Sequence, residues 1–323
     1  MSRPLRIASY NLRFDIWPDA RTVKESLDRL PPPLQKPEFY KNMNRERPWS
    51  ERRVRVWRQL ETEDLDVIGF QEAVVRQCQD LQELLGNDWG WVGVGRDDGQ
   101  NRGEFNPIYY RKSRYDLIHW DTFWLSNDPT KPSRYPGAGS FRLCTVVRLR
   151  PRGGGPDVAV LNTHLDDQSD KQRQYGASIV LARARYEEQV QGAAVVLTGD
   201  FNSQADGSDS GAYQIATGQR APLNIDSAFA KKYAVPNGAP PFKLIDLRAE
   251  TRADRIEGHF ATYTGFVDVG RSREYKRIDF ILGGSNKPWT PTLYKVTETL
   301  SDDGVYASDH RPVIAHLVPT QWN

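Results

Sequence analysis

Five times along the chain an apolar, strand-forming run meets an acid, an amide or an imidazole at one end. This recurrence limits the fold more than any other feature of the sequence. Asn11 closes "IASYN", Gln71 and Glu72 close "VIGFQE", and His164 closes "VAVLNTH". Asp200 and Asn202 end "VVLTGDFN", while Asp309 and His310 precede "RPVIAHLV". In an extended segment alternate side chains share a face, so Asp200 and Asn202 can converge. Charged groups beside such strands are costly unless paired, hydrogen-bonded or bound to a cation. The pattern therefore predicts sheets whose strand ends gather polar groups at one rim. Taken singly, each tip also fits an ordinary polar turn, where Asn and Asp are common for their local hydrogen bonding.

Other segments fill out the sheets. "WGWVGVG", "NPIYYRK", "YDLIHWDTFWLS", "SFRLCTVVRLR" and "PDVAVLNTHL" read as strands, and "RGGGPD" as a hairpin connection, since no helix pattern follows it. "HFATYTGF", "YKRIDFILGG", "LYKVTETL" and "RPVIAHLV" continue the strand pattern toward the end of the chain. Helical spacing recurs at Val54, Trp57 and Leu60, at Val75, Cys78, Leu81 and Leu85, and from Gln172 to Val190. Many strands with few helices between them predict an α/β protein of two sheets packed face to face and covered by helices. No linker or solenoid repeat divides the sequence, so residues 1–323 are expected to form one domain. Asp15 to about Arg53 is a long polar insert. Its "LPPPLQKP" argues against regular structure, and Ser50 is the expected N-cap of the helix that follows.

Charge excludes some partners. With 44 Lys and Arg against 42 Asp and Glu, the net charge is +2, so a nucleic acid would have to be held by a local patch. Two cysteines, Cys78 and Cys144, form no disulfide framework and fall in helix and strand patterns as core thiols. No segment approaches the roughly 18 apolar residues that span a bilayer. The opening "MSRPLRIASYNLRF" lacks the apolar stretch of a signal peptide. A monomeric, intracellular protein, cytoplasmic or nuclear, is the expectation.

Asn11, Glu72, Asp200, Asn202 and Asp309 offer only oxygen ligands, which suits Mg2+ or Mn2+ better than zinc. His164 and His310, two of the five histidines, then stand beside them to handle protons or stabilise charge.

In their order, "QE", "NTHLD", "GDFNS", "RIDFI" and "SDHRPV" resemble the endonuclease/exonuclease/phosphatase superfamily, over nearly the whole chain from "SYNLR" onward. "GVGRDDG" and "FWLS" are similar to a bacterial and fungal branch of it. The resemblance implies a four-layer αββα sandwich of two mostly antiparallel sheets with helices outside. It also implies Mg2+- or Mn2+-dependent hydrolysis of a phosphoester by in-line attack of water. On that resemblance Asn11, Glu72 and Asp309 are the metal-side residues, Glu72 the principal ligand. Asp200 and Asn202 would orient the water and the phosphate. His310 would face the scissile phosphate, held by Asp279; a structural carboxylate holding Arg277 or Arg311 is the less favoured reading of Asp279. His164 would be the second histidine with Glu104 as its carboxylate partner, and Arg142 would contact phosphate. Whether Asp200 or His310 is the base, and whether one ion or two bind, stay open.

Other residues carry competing readings. Tyr109 and Tyr110 alternate along a strand; Tyr110 is a candidate phosphate contact, with core packing the commoner use. Trp89, Trp91, Trp120 and Trp124 are expected in the core, while Trp17 and Trp49 are candidates for a substrate platform, with packing the insert down the commoner use. The arginines of "RPWSERRVR" suit either phosphate contact or a solvated helix start. His119, His259 and His316 read as structural. No abasic-site repair signal, leucine-rich repeat or basic DNA-reading helix is present, and a fold does not name its substrate. A phosphodiester, cut in a nuclease-like reaction, is the first expectation. A phosphomonoesterase acting on a sugar or inositol phosphate is the alternative, and a non-catalytic binding protein on the same fold the third reading.

Overall fold

Both ends of the chain meet in one sheet. The computed structural model describes residues 3–30, 46–267, 275–287, 289–301 and 303–320. The first sheet takes β1 (Leu5–Asn11), β2 (Val67–Gln71), β3 (Trp89–Val92) and β4 (Ile108–Arg111). The second takes β5 (Tyr115–Trp124), β6 (Leu143–Pro151), β7 (Val158–His164), β8 (Ala194–Asp200) and β9 (Leu244–Asp246). The chain returns to the first sheet for β10 (Ile256–Gly258) and crosses back for β11 (Asp279–Gly284). It ends in the first with β12 (Trp289–Val296) and β13 (Val313–Pro319). The strand orders are β10-β12-β13-β1-β2-β4-β3 and β5-β6-β7-β8-β11-β9. Pairing is antiparallel except between β1 and β2, β7 and β8, and β10 and β12.

Helices close the outer faces. Helices α1 (Val23–Asp28), α2 (Trp49–Glu61) and α3 (Val75–Leu85) serve the first sheet. Helices α4 (Asp170–Gln189), α5 (Gly211–Ala216) and α6 (Ser227–Lys232) serve the second. A short α7 (Leu247–Glu250) follows β9 and packs on β11 and β12. The four-layer αββα sandwich expected from the sequence is thus the one observed. No helix among the described residues is long and apolar enough to cross a membrane.

Both faces of the central strands are buried, which is why they read as continuous apolar runs rather than as alternation. In β1, Leu5 and Ile7 enter the layer between the sheets, while Ala8 and Tyr10 face α2 and α3. In β8, Ala194 and Val196 point between the sheets, and Val195 and Leu197 toward α4. Nearer the rim the inner layer turns polar. Gln71 Nε2 donates to Asn162 Oδ1 (2.7 Å), Thr198 Oγ1 donates to the same oxygen (3.1 Å), and Asn162 Nδ2 donates to the Phe70 carbonyl (2.7 Å). A Cβ on Gly69 would lie 2.3 Å from Thr198 Oγ1, so the glycine is what lets the sheets close over this layer.

Several local expectations are corrected. The insert is not irregular throughout: it contains α1, capped by Thr22 in a reciprocal pair with Glu25. Helix α2 starts at Trp49 with Pro48 as N-cap, and Ser50 lies inside it, its hydroxyl bonded to Asp19. All of "LPPPLQKP" but Leu30 lies outside the described residues. "HFATYTGF" is not a continuous strand: Tyr263 forms isolated bridges with Lys276 and His310, and the Thr262 hydroxyl accepts the Ile278 and Asp279 amides. Trp120 is 43% exposed on β5, an edge strand, while Trp89 and Trp124 are buried as expected.

Candidate active site

Strand register builds the site. Parallel pairing sets His164 opposite Asp200, and antiparallel pairing sets Asp200 opposite Asp279. Three chemistry-bearing residues on three adjacent strands therefore stand in one row at the rim of the second sheet. In the first sheet Asn11 pairs with Gln71, and Glu72 follows. The Asn11 amide spans the two sheets, donating to Glu72 Oε1 and Asp200 Oδ2, each at 2.9 Å. Glu72 (φ 60°) and Asn202 (φ 49°) both adopt the left-handed backbone that side chains other than Gly and Asn rarely take. Such strain is held only where the surroundings over-determine it, and it clusters at functional sites.

His310 arrives from the loop before β13. Its Nδ1 lies 2.8 Å from Asp279 Oδ2, its Nε2 3.6 Å from Asp200 Oδ2, and the Tyr263 ring packs edge-on against it. Burial alone would drive the proton off His310, but the Asp279 and Asp200 charges outweigh it and hold the ring well above the usual histidine range. His164 takes the opposite course: burial, with the Arg142 and Arg96 charges, keeps it well below that range. The two histidines are thus shifted in opposite directions, His310 toward the imidazolium and His164 toward the neutral imidazole. Burial and the Asp279 charge push Asp200 up to about 7. Burial and Glu72 likewise push Glu104 up to about 7. Asp309 is raised by burial and Glu72, against the pull of His310.

A cavity of about 690 Å³ opens over this row. Glu72, Glu104, Arg142, His164, Asp200, Asn202, Asp309 and His310 all line it. Asp279 backs it from behind His310. Glu72, His164 and Asp200 present ligand atoms within 4.8 Å of one another, a donor set able to hold a cation, and the crowded carboxylates offer it charge.

Some expected roles shift. Asn11 spends its amide on the two carboxylates and so spaces them, while its oxygen accepts the Arg13 amide at 2.9 Å. Glu104 does not hydrogen-bond to His164: the gap to Nδ1 is 3.8 Å, because Arg96 Nη1 takes the carboxylate at 2.6 Å. The Asn202 amide instead meets His164 Nε2 at 2.8 Å. Arg142 is buried against Asp167 (2.7 Å), and its Nη1 has no hydrogen-bond partner among the described residues. Tyr110 does not reach the cavity; it packs on the inter-sheet core beside Gly90, while Tyr109 faces α3. Trp49 is fully buried with Nε1 on Asp80, the packing use, and Trp17 is exposed but does not line the cavity, so neither serves as a substrate platform. Arg13, Phe14, Arg96, Gln168, Arg173, Asp209, Tyr263 and Lys276 also line the cavity and were not singled out from the sequence. Arg13 and Arg96 sit inside the quoted motifs "SYNLR" and "GVGRDDG", a signal that was available.

The whole chain superposes on known structures. An endonuclease/exonuclease/phosphatase from Bacteroides vulgatus is 24% identical, with 99% of this chain and 100% of that one covered and a TM-score of 0.73. A mannosyl-6-phosphatase of Bacteroides thetaiotaomicron is 23% identical over 97% and 99% of the two chains, at 0.69. The TDP2 of D. rerio, in complex with a single-strand DNA product, is 17% identical over 98% and 99%, at 0.60. No curated protein matches the chain. The model of the Endonuclease/Exonuclease/phosphatase family matches residues 8–310, and the chain belongs to that family.

Proposed function

We propose that the protein is a divalent-cation-dependent phosphoesterase that hydrolyses a compact phosphodiester by in-line attack of water. The observation that carries this reading is the convergence of Asp200 with the His310–Asp279 pair beside Glu72, from four distant parts of the chain. Glu72 and Asp309 would hold Mg2+ or Mn2+, with Asp200 at the site's edge. A bound cation supplies charge neutralisation and a template for the phosphate. Asp200, raised toward neutrality, is suited to orient a water and accept its proton. His310, held protonated by Asp279, can donate to a non-bridging phosphate oxygen as negative charge grows there. Asn202 and His164 supply further polar contacts, and Arg142 adds positive charge.

A phosphomonoester is the second reading. The cavity lining alternates Arg13, Arg96, Arg142, Arg173 and Lys276 with acids rather than forming a basic strip. Among the described residues its aromatic lining is Phe14 and Tyr263, and Tyr263 is engaged with His310, which leaves little platform for stacked bases. This favours a small ester over a nucleic-acid strand, and a structural neighbour is a mannosyl-6-phosphatase. The test is a substrate panel with Mg2+, Mn2+ or EDTA: bis(p-nitrophenyl) phosphate, glycerophosphodiesters, cyclic nucleotides and single-stranded DNA against p-nitrophenyl phosphate and sugar phosphates. Cation-dependent diester turnover supports the first reading. Turnover of monoesters alone replaces it with the second. No turnover of any ester leaves the binding-protein reading.

A further inference from the structure

The "RPWSERRVR" segment contributes something other than a solvated helix start. Arg52 and Arg53, adjacent in the first turns of α2, are both fully buried. Their partners differ. Arg53 ties α2 to α1 and α3 through Asp80, Ser26 and the Arg21 carbonyl. Arg52 turns toward the site. Among the described residues its hydrogen bonds all end on main-chain carbonyls: Nε on Arg47 (2.9 Å), Nη1 on Leu12 (2.6 Å) and Ala307 (2.9 Å), and Nη2 on Arg13 (2.8 Å).

Arg47 lies just before α2 itself, while the other three carbonyls belong to two loops nearly three hundred residues apart in sequence. Leu12 and Arg13 follow Asn11, the residue that spaces Glu72 from Asp200, and Ala307 leads through Ser308 into Asp309 and His310. Ser308 Oγ adds a direct tie to the Asn11 carbonyl at 2.7 Å. A planar guanidinium with donors fixed in one fork can hold three carbonyls at set positions, which a flexible ammonium cannot. Burying that charge is expensive, so the site maintains it for a reason beyond filling space.

We propose that Arg52 is a positioning residue for the cation site: it clamps the loop after β1 to the loop before β13 and so fixes Asn11, whose amide holds Glu72 and Asp200, relative to Asp309. This rests on the cation-dependent reading above. Residues that orient ligands typically change metal affinity by about 10–100-fold when altered.

The test is direct Mn2+ binding to the full chain, read from the loss of the free Mn2+ paramagnetic resonance signal, alongside thermal unfolding. Wild type and Glu72→Gln come first: if wild type shows no Mn2+ binding that Glu72→Gln weakens, the cation reading itself falls. Given such binding, Arg52→Met is expected to weaken it about 10–100-fold, with Arg52→Lys between the two. Arg53→Lys, on the same turn, should lower the unfolding temperature while leaving Mn2+ affinity unchanged. Arg52→Lys keeps the proposal testable should the methionine variant not fold. Wild-type affinity in the Arg52 variants, or equal weakening by Arg53→Lys, would overturn the role of Arg52 while sparing the cation reading.

Discussion

Two histidines in one cavity are tuned in opposite directions by what surrounds them. Asp279 touches His310, whereas arginines face His164, and the pair sets a ring shifted toward the cation and one shifted toward the neutral form each 3.6 Å from Asp200 Oδ2. His310→Ala should lower kcat by about 10²–10⁴-fold while the unfolding temperature stays close to wild type. Steady-state kinetics with a circular-dichroism melt checks both. Asp200→Asn should behave in the same way; wild-type turnover in either variant removes the assigned role. Such residues were legible in the sequence because each stands at one end of an apolar run. Glu104 was only partly so. Its place near His164 is right, but which cation it pairs with depends on how the 93–106 loop folds Arg96 back onto it, and no spacing rule gives that.

At the scale of elements, register does most of the site's assembly. Once β7, β8 and β11 pair as they do, His164, Asp200 and Asp279 are neighbours without further adjustment. The polar layer below them was not visible in sequence. Gln71, Asn162 and Thr198 lie in apolar strands far apart, and only sheet packing brings them together. Gly69→Ala would force the sheets apart at that layer, so urea unfolding should show a loss of about 1–3 kcal/mol. Between β5 and α4, burial raises the Asp121 carboxyl, but hydrogen bonds from Arg183 and Tyr233 outweigh this and leave it below its ordinary value. A depressed carboxylate stabilises the fold above its unfolded value near 3.8, and that contribution is lost as pH falls through the folded value. The stability gap between wild type and Asp121→Asn should therefore narrow on acidification, as urea midpoints across the pH range would show. The helix start at Trp49–Arg53 was misread for a physical reason: arginines at a helix N-terminus look solvated until a strand-end loop supplies carbonyls for them.

For the molecule as a whole, the sandwich and its family were readable because five polar-tipped strands occur in a fixed order and both faces of the central strands are apolar. Substrate choice was not readable. It depends on cavity walls contributed by loops and the start of α4, where Gln168, Arg173 and Asp209 carry no pattern of their own. If crowded carboxylates await a cation, ligand binding must raise the stability of the whole fold: Mn2+ at a hundred times its dissociation constant should add about 2.7 kcal/mol. EDTA should reverse it, as a thermal-shift titration would show. Crystals soaked in Mn2+, with an anomalous difference map collected near the manganese edge, test the central claim most directly. A peak beside Glu72, within reach of Asp200 and Asp309, is the predicted result; a peak only elsewhere on the protein, or none at saturating Mn2+, would contradict it.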